Sequence, residues 1–232
     1  MFISERWAKV SIAHKHLIIW GASDQCRVNY PILKSLGCHI EALIDDTLDK
    51  HSPFEGVPIY VGEKGLDYFL KVSQTKGLGF VVAIGNPNGH VRVKLHRLLK
   101  GKNLGPVSFA DPTALICQSA ICGEGFQIMP AAIVHNDVQI GIQCIINTGA
   151  LVEHDCVLKD GVEIGPGAVL CGRVHVGENS WIGANATVRP RVAIGDNTIV
   201  GAGAVVVSDV PSNVVTVGVP ARVIRENRPT YE

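Results

Sequence analysis

Hydrophobic and polar positions follow two different grammars along this chain. Residues 16–110 alternate short apolar runs with amphipathic stretches. HLIIWG (16–21) reads as a buried strand, 25–36 as a helix stopped by Gly37, and HIEALIDD (39–46) as a second strand. VPIYVG (57–62) predicts a third strand, 65–73 a helix, and GFVVAIGN (79–86) a fourth strand. A last helix, 88–100, sets Val91, Leu95, Leu98 and Leu99 on one face. Strands alternating with helices imply βαβ units and a parallel sheet, a Rossmann-like domain over 1–110. Ligands of such sheets bind beyond the carboxyl ends of the strands. Those ends carry Gly21-Ala22-Ser23, Asp45-Asp46 and Gly85-Asn86.

From 114 to 209 the period changes to six and never loses frame. Sixteen hexads run from ALICQS to AVVVSD, and the third position is Ile, Leu or Val in every one except the second, where it is Cys122. The first position is mostly small, and glycine recurs at the fourth. A fixed six-residue period with glycine predicts a parallel β-helix over 111–232. The third and first positions face the core, and the fourth-position glycines are expected to permit the turns.

Composition sharpens this picture by exclusion. The 232 residues carry 21 basic and 21 acidic side chains, so no net charge argues for nucleic acid or an anionic membrane. The apolar fraction is 47% but aromatics are only 6%, a balance suited to stacked β-structure. The opening MFISERWAKVSIAHKH is broken by charges before any signal-like apolar core forms, and no uncharged apolar run reaches membrane-span length. Seven scattered cysteines without a CxxC pair read as reduced core thiols of a cytoplasmic protein.

One segment departs from the bland repeat. In NTGALVEHDCVL (147–158) the polar trio Glu153-His154-Asp155 falls in turn slots, while Ala150, Val152, Cys156 and Leu158 keep their inward places. Histidine suits proton removal near neutral pH, and a carboxylate on its other ring nitrogen would fix the tautomer. Both Glu153 and Asp155 flank it, and the sequence does not separate them. Asn147 is placed either to bond a substrate or the base, or simply to stack in its coil. His135 and His175 read as surface or groove wall.

These residues carry a family resemblance. Asn147-Thr148, His154-Asp155-Cys156, Pro166-Gly167-Ala168, Gly172 and the closing Gly218–Arg222 match the motifs of the bacterial sugar O- and N-acetyltransferases. That family includes sialic acid O-acetyltransferases and acetyltransferases of nucleotide-linked 4-amino sugars. The resemblance covers nearly everything from His16 to Arg225. It implies a left-handed β-helix of hexapeptide repeats, a homotrimer, and acetyl-CoA in a groove between neighbouring subunits. It also implies a role in bacterial surface-glycan synthesis. On this reading His154 is the base and Asp155 its favoured partner, with Glu153 and Asn147 beside them. Glu163, Gly165, Gly172, Gly183, Ala184, Gly201, Ala202 and Arg189 are candidates for contacting acetyl-CoA. Gly21, Ser23, Asp24, Gln25, Asp45, Asp46 and Gly85 are candidates for the sugar or its nucleotide.

The chain departs from the family at several points. The first loop is GASDQ (21–25), with Asp24 where a glycine is common and Gln25 where a histidine is common. Glu163 stands where some members have a histidine near acetyl-CoA, and Asp111-Pro112 replaces the usual His-Pro. Asp24 facing into the loop would repel a phosphate and favour a free, sialic-acid-like sugar, with O-acetylation as the corresponding alternative. A zinc enzyme on the same scaffold would need clustered histidines, and His135, His154 and His175 are not so spaced; no metal is expected. A non-catalytic sugar-binding module is the remaining alternative.

Overall fold

The computed structural model describes residues 14–228. The charged opening segment read above lies largely outside them. The described chain divides into two compact units, one made of residues 14–85 and 94–108, the other of 86–93 and 109–228.

The first unit holds a five-stranded parallel sheet in the order β3-β2-β1-β4-β5. The strands are β1 (His16–Trp20), β2 (His39–Asp45), β3 (Ile59–Val61), β4 (Gly79–Val82) and β5 (Gly105–Pro106). Its helices are α1 (Asp24–Ser35) and α2 (Gly62–Val72), with residues 94–101 of α3 (Gly89–Gly101), whose first turn belongs to the other unit. Leu17, Ile18, Ile19, Leu43, Ile44, Phe80 and Val82 are wholly buried, as expected of strands covered on both faces. Strand β4 stops at Val82 rather than at 86 because its partner stops first. Trp20 pairs with Val82, and the chain then turns at Gly21, whose φ is 101°. A Cβ on Gly21 would lie 2.4 Å from the Ala83 carbonyl oxygen, so only glycine allows the two strand ends to approach. The two-residue β5, a Gly-Pro, carries no strand signal and was not expected.

Helix α3 also differs from its apolar reading. Its buried side chains are Arg92, Val93, Leu95, His96 and Leu99. The spacing 92, 95, 96, 99 is one helical face, and two of its members, Arg92 and His96, are polar and lie outside the apolar set of Val91, Leu95, Leu98 and Leu99.

The second unit contains the left-handed β-helix. Strands 18 residues apart pair in parallel, Ile145 with Glu163 and Leu151 with Val169, so three hexads close one coil. Each coil contributes in turn to three sheets. The first face includes Ile145–Ile146 and Glu163–Ile164, the second Leu151–Val152 and Val169–Leu170, the third Val157–Leu158 and His175–Val176. First and third hexad positions form one continuous apolar core, from Ile116 to Val206. The turn freedom lies elsewhere than expected. Every sixth position from Gly125 to Gly203 has φ between 51° and 73°, and most are Asn, Asp or Gly, which tolerate that region. The fourth-position glycines answer to crowding instead. A Cβ on Gly165 would lie 2.7 Å from the Ile182 carbonyl oxygen of the next coil, and one on Gly183 would lie 2.6 Å from the Ala202 nitrogen. Two strands, Val214–Val217 and Arg222–Glu226, close the stack as an antiparallel pair.

Candidate active site

His154 stands at the corner between the second and third faces. Asp155 follows it with φ 57°, and this left-handed turn carries the carboxylate back onto the imidazole. Asp155 Oδ2 lies 2.8 Å from His154 Nδ1. The geometry separates the two acids: Glu153 Oε2 instead accepts the backbone N–H of His154 at 3.2 Å. Since a carboxylate only accepts, Nδ1 carries the proton and the Nε2 lone pair is open. The hydrogen bond from His154, helped by Arg173 at 3.5 Å, holds the Asp155 carboxyl below the usual range. His154 and Asp155 side chains are 50% and 44% exposed, so a reactant can reach them. Gly172, one coil on, makes the space: a Cβ there would lie 2.6 Å from Nε2. Cys156 faces the core, and burial pushes its thiol up to about 11.

Asn147 lies at a different corner, between the first and second faces. Its Nδ2 donates to Glu163 Oε1 at 3.1 Å. Glu163 was expected near acetyl-CoA, but its carboxylate is buried and engaged. Asn86 Nδ2 donates to Oε1 at 2.9 Å, and Arg92 Nη1 to Oε2 at 3.2 Å. Arg92 is wholly buried and also donates to the Gln143 carbonyl at 3.0 Å and the Gly161 carbonyl at 2.8 Å. Burial pulls the guanidinium below its usual value, and Glu163 opposes the shift. Sequence reading named Asn86 only as a strand end and missed Arg92, because neither belongs to the repeat that frames Glu163.

The chain therefore sorts the candidates onto two edges of one face. Gly165, Gly183 and Gly201 stack above Asn147 at intervals of 18 residues, with Ala184 and Ala202 alongside. Gly172 and Arg189 lie on the His154 edge, where Arg189 is exposed and donates to the Val207 carbonyl at 3.3 Å. The second face lies between the two edges, so one chain does not bring Asn147 and His154 together.

In the first unit, the loop after β1 is tied down at its base. The Gly21 nitrogen donates to the Ile44 carbonyl at 2.7 Å, and the Ala22 nitrogen to Asp45 Oδ2 at 2.8 Å. Asp24 opens α1 and is exposed, an acid in the first turn where the helix dipole favours it. Gln25 Nε2 donates to the buried Asn29 at 3.1 Å, and a Cβ added at Gly85 would lie 3.8 Å from Gln25 Oε1. The acid pair divides its work: Asp46 is exposed beside Gly62, while Asp45 is buried and accepts from Ala22, Thr47 and Lys50. Burial acts to raise the Asp45 carboxyl, but these hydrogen bonds outweigh it and bring it down to about 2. Lys50 was not foreseen. Its Nζ sits 2.5 Å from Ser23 Oγ and 2.8 Å from Asp45 Oδ2, placing a cation at the loop. Among the described residues no cluster of three His, Cys, Asp or Glu side chains could hold a metal ion. Among the described residues, too, no helix is long and apolar enough to cross a membrane.

This combination of an α/β unit, a hexad β-helix and a histidine–aspartate corner defines a class, and comparison with known proteins agrees. Residues 173–208 match the family model described as bacterial transferase hexapeptide (six repeats). PerB from Caulobacter crescentus, solved with CoA and GDP-perosamine, is 35% identical. That comparison covers 93% of this chain and 100% of that one, with a TM-score of 0.82. The chain belongs to the bacterial hexapeptide transferase family. Its place within the family is with the acetyltransferases of nucleotide-linked amino sugars, the group its motifs resemble. The acetyltransferase domain of PglB from Neisseria gonorrhoeae, solved with acetyl coenzyme A, is 27% identical. It superposes with a TM-score of 0.80, over 91% of this chain and 100% of that domain. A GDP-perosamine N-acetyltransferase of Escherichia coli O157:H7 is 32% identical over 114 residues, 49% of this chain and 50% of that protein's length.

Proposed function

We propose that this protein transfers the acetyl group of acetyl-CoA to the 4-amino group of a nucleotide-linked 4-amino-deoxysugar, in surface-glycan synthesis. The observation that carries this reading is the His154–Asp155 pair at 2.8 Å, with Nε2 left as an open base beside Gly172. The amine nitrogen attacks the thioester carbonyl carbon as His154 Nε2 takes its proton. The carbon–sulfur bond then breaks, and the imidazolium returns the proton to the leaving thiolate, giving an amide and free CoA. Asp155 holds the ring and stabilises the imidazolium during the step.

Acetyl-CoA is assigned to a groove built from both edges: Gly165, Gly183, Ala184, Gly201 and Ala202 on one, Gly172 and Arg189 on the other. Two edges held apart in one chain favour a homotrimer in which neighbouring subunits complete each site. The nucleotide is assigned to the loop of Gly21, Ser23, Asp24 and Gln25, with Asp45, Asp46 and Gly85 around it. Lys50 is compatible with a nucleotide-linked substrate, because its ammonium at the loop offsets the phosphate repulsion expected of Asp24. Seven free cysteines and the need for acetyl-CoA fit a cytoplasmic enzyme.

The test is an acetyl-transfer assay following free CoA, run against nucleotide-linked 4-amino sugars and free sialic acids. Wild-type protein turns over the former, and His154→Ala keeps its fold and trimer but loses about 10²-fold or more in rate. Undiminished turnover by the variant, or none by the wild type on any nucleotide-linked amine, refutes the reading.

A further inference from the structure

Glu163 is the family departure that the reaction above does not use, and its surroundings say what it does. Three donors converge on its carboxylate, from Asn147, Asn86 and Arg92, and the residue is 2% exposed. A carboxylate accepts and never donates, so the Asn147 amide has one permitted orientation. Its nitrogen faces Glu163. Its carbonyl oxygen is turned away, takes no hydrogen bond from the described residues, and belongs to a half-buried side chain at the foot of the Gly165, Gly183 and Gly201 column.

We propose that Glu163 is a positioning residue that fixes the Asn147 carbonyl as an acceptor for an N–H of the reactants, and that Arg92 holds Glu163 in place for this purpose. The inference rests on the acetyltransferase reading. Two reactant groups supply such an N–H: the attacking sugar amine and the pantetheine amides of acetyl-CoA. Arg92 makes the arrangement directional. It donates to Oε2 and cannot accept, so whatever occupies position 163 must turn an oxygen toward it.

Glu163→Gln exposes the logic. The new carbonyl oxygen must face Arg92, which leaves the new NH2 facing Asn147 and Asn86. Both asparagines then invert to offer their own oxygens. Asn147 turns its NH2 outward, and a donor meets a donor where an acceptor was needed.

The test is a double-mutant cycle of Glu163→Gln and Asn147→Ala, read in steady-state kinetics with CoA release as the signal. Glu163→Gln is expected to lower kcat/KM about tenfold or more. In the Asn147→Ala background the same substitution is expected to change kcat/KM less than about twofold, because the group it works through is gone. A loss confined to the KM for acetyl-CoA assigns the N–H to pantetheine; a loss in kcat or in the sugar KM assigns it to the amine. An equal loss in both backgrounds, or wild-type kinetics for folded Glu163→Gln, overturns the inference. If Glu163→Gln alone fails to fold, Asn147→Ala in otherwise wild-type protein carries the test: it is expected to lower kcat/KM about tenfold, and wild-type kinetics for the folded variant overturns the inference. Wild-type protein that releases no CoA overturns the functional reading and this inference with it; active wild type with additive variants overturns this inference alone.

Discussion

Gly172→Ala is the sharpest test of how the site is built. A Cβ added there would lie 2.6 Å from His154 Nε2, 2.7 Å from Cε1 and 3.2 Å from Cδ2. Ordinary contact begins at 3.4 Å, so the ring must retreat by about 0.8 Å. Retreat is cheap in stability, because the nearest atoms are the end of a half-exposed side chain and Gly172 does not have positive φ. It is costly in rate. A displacement of about 1 Å at a reacting group is worth roughly 10²-fold, and the added methyl also covers the lone pair that takes the proton. The expected result is a melting temperature within a few degrees of wild type, unchanged oligomeric state, and a fall of about 10²-fold in kcat. Thermal denaturation and the CoA-release assay read the two separately. Wild-type kcat in the folded variant would show that Nε2 is not the base. Unfolding of the variant would show that the corner is more tightly packed than its exposure indicates.

Two further outcomes follow from the geometry. Asp155→Asn removes the charge that stabilises the imidazolium but keeps the shape, so kcat falls about tenfold with little change in KM for either substrate; an unchanged kcat would mean Asp155 is not the working partner. Asp45→Asn removes a carboxyl lowered from 3.8 to about 2, which corresponds to about 2 kcal/mol of stability at neutral pH. Because the folded value is depressed, this contribution is present above about pH 4 and is lost as pH falls toward 2. In urea denaturation the gap between wild type and variant therefore narrows across that window, and a constant gap would show that the Lys50, Thr47 and Ala22 bonds do not act on the charged form.

Much of this protein was legible in its sequence, because the repeat is local. Each hexad states its own inward residues, and sixteen in frame leave no other architecture. The alternation of strands and helices before it is equally local. The histidine corner was legible for the same reason: His154 and Asp155 are adjacent, and their pairing needs only one turn. The misread features all depend on partners distant in the chain. The fourth-position glycines were assigned to turns, but they answer to backbone in the next coil, 18 residues away. Arg92 and His96 do not show in the apolar pattern of α3, because a charged or polar residue in an amphipathic helix ordinarily lies on its exposed face. Lys50 sits in a segment with no motif, and only folding sets its amine against Ser23 and Asp45.

What the sequence determined by itself was the scaffold, the family and the histidine corner. What the tertiary structure decided was which groups are free to act. Asp155 rather than Glu153 holds His154, since the left-handed turn at 155 returns that carboxylate and no other. Asp45 is spent as an internal brace while Asp46 remains exposed. Glu163, placed by the repeat where it could have met acetyl-CoA, is enclosed by Arg92, Asn86 and Asn147. The physical reason is common to all three. A polar side chain's role is set by whether its hydrogen bonds are already satisfied, and that depends on how the folded backbone aims its partners, adjacent for Asp155 and distant in the chain for Glu163.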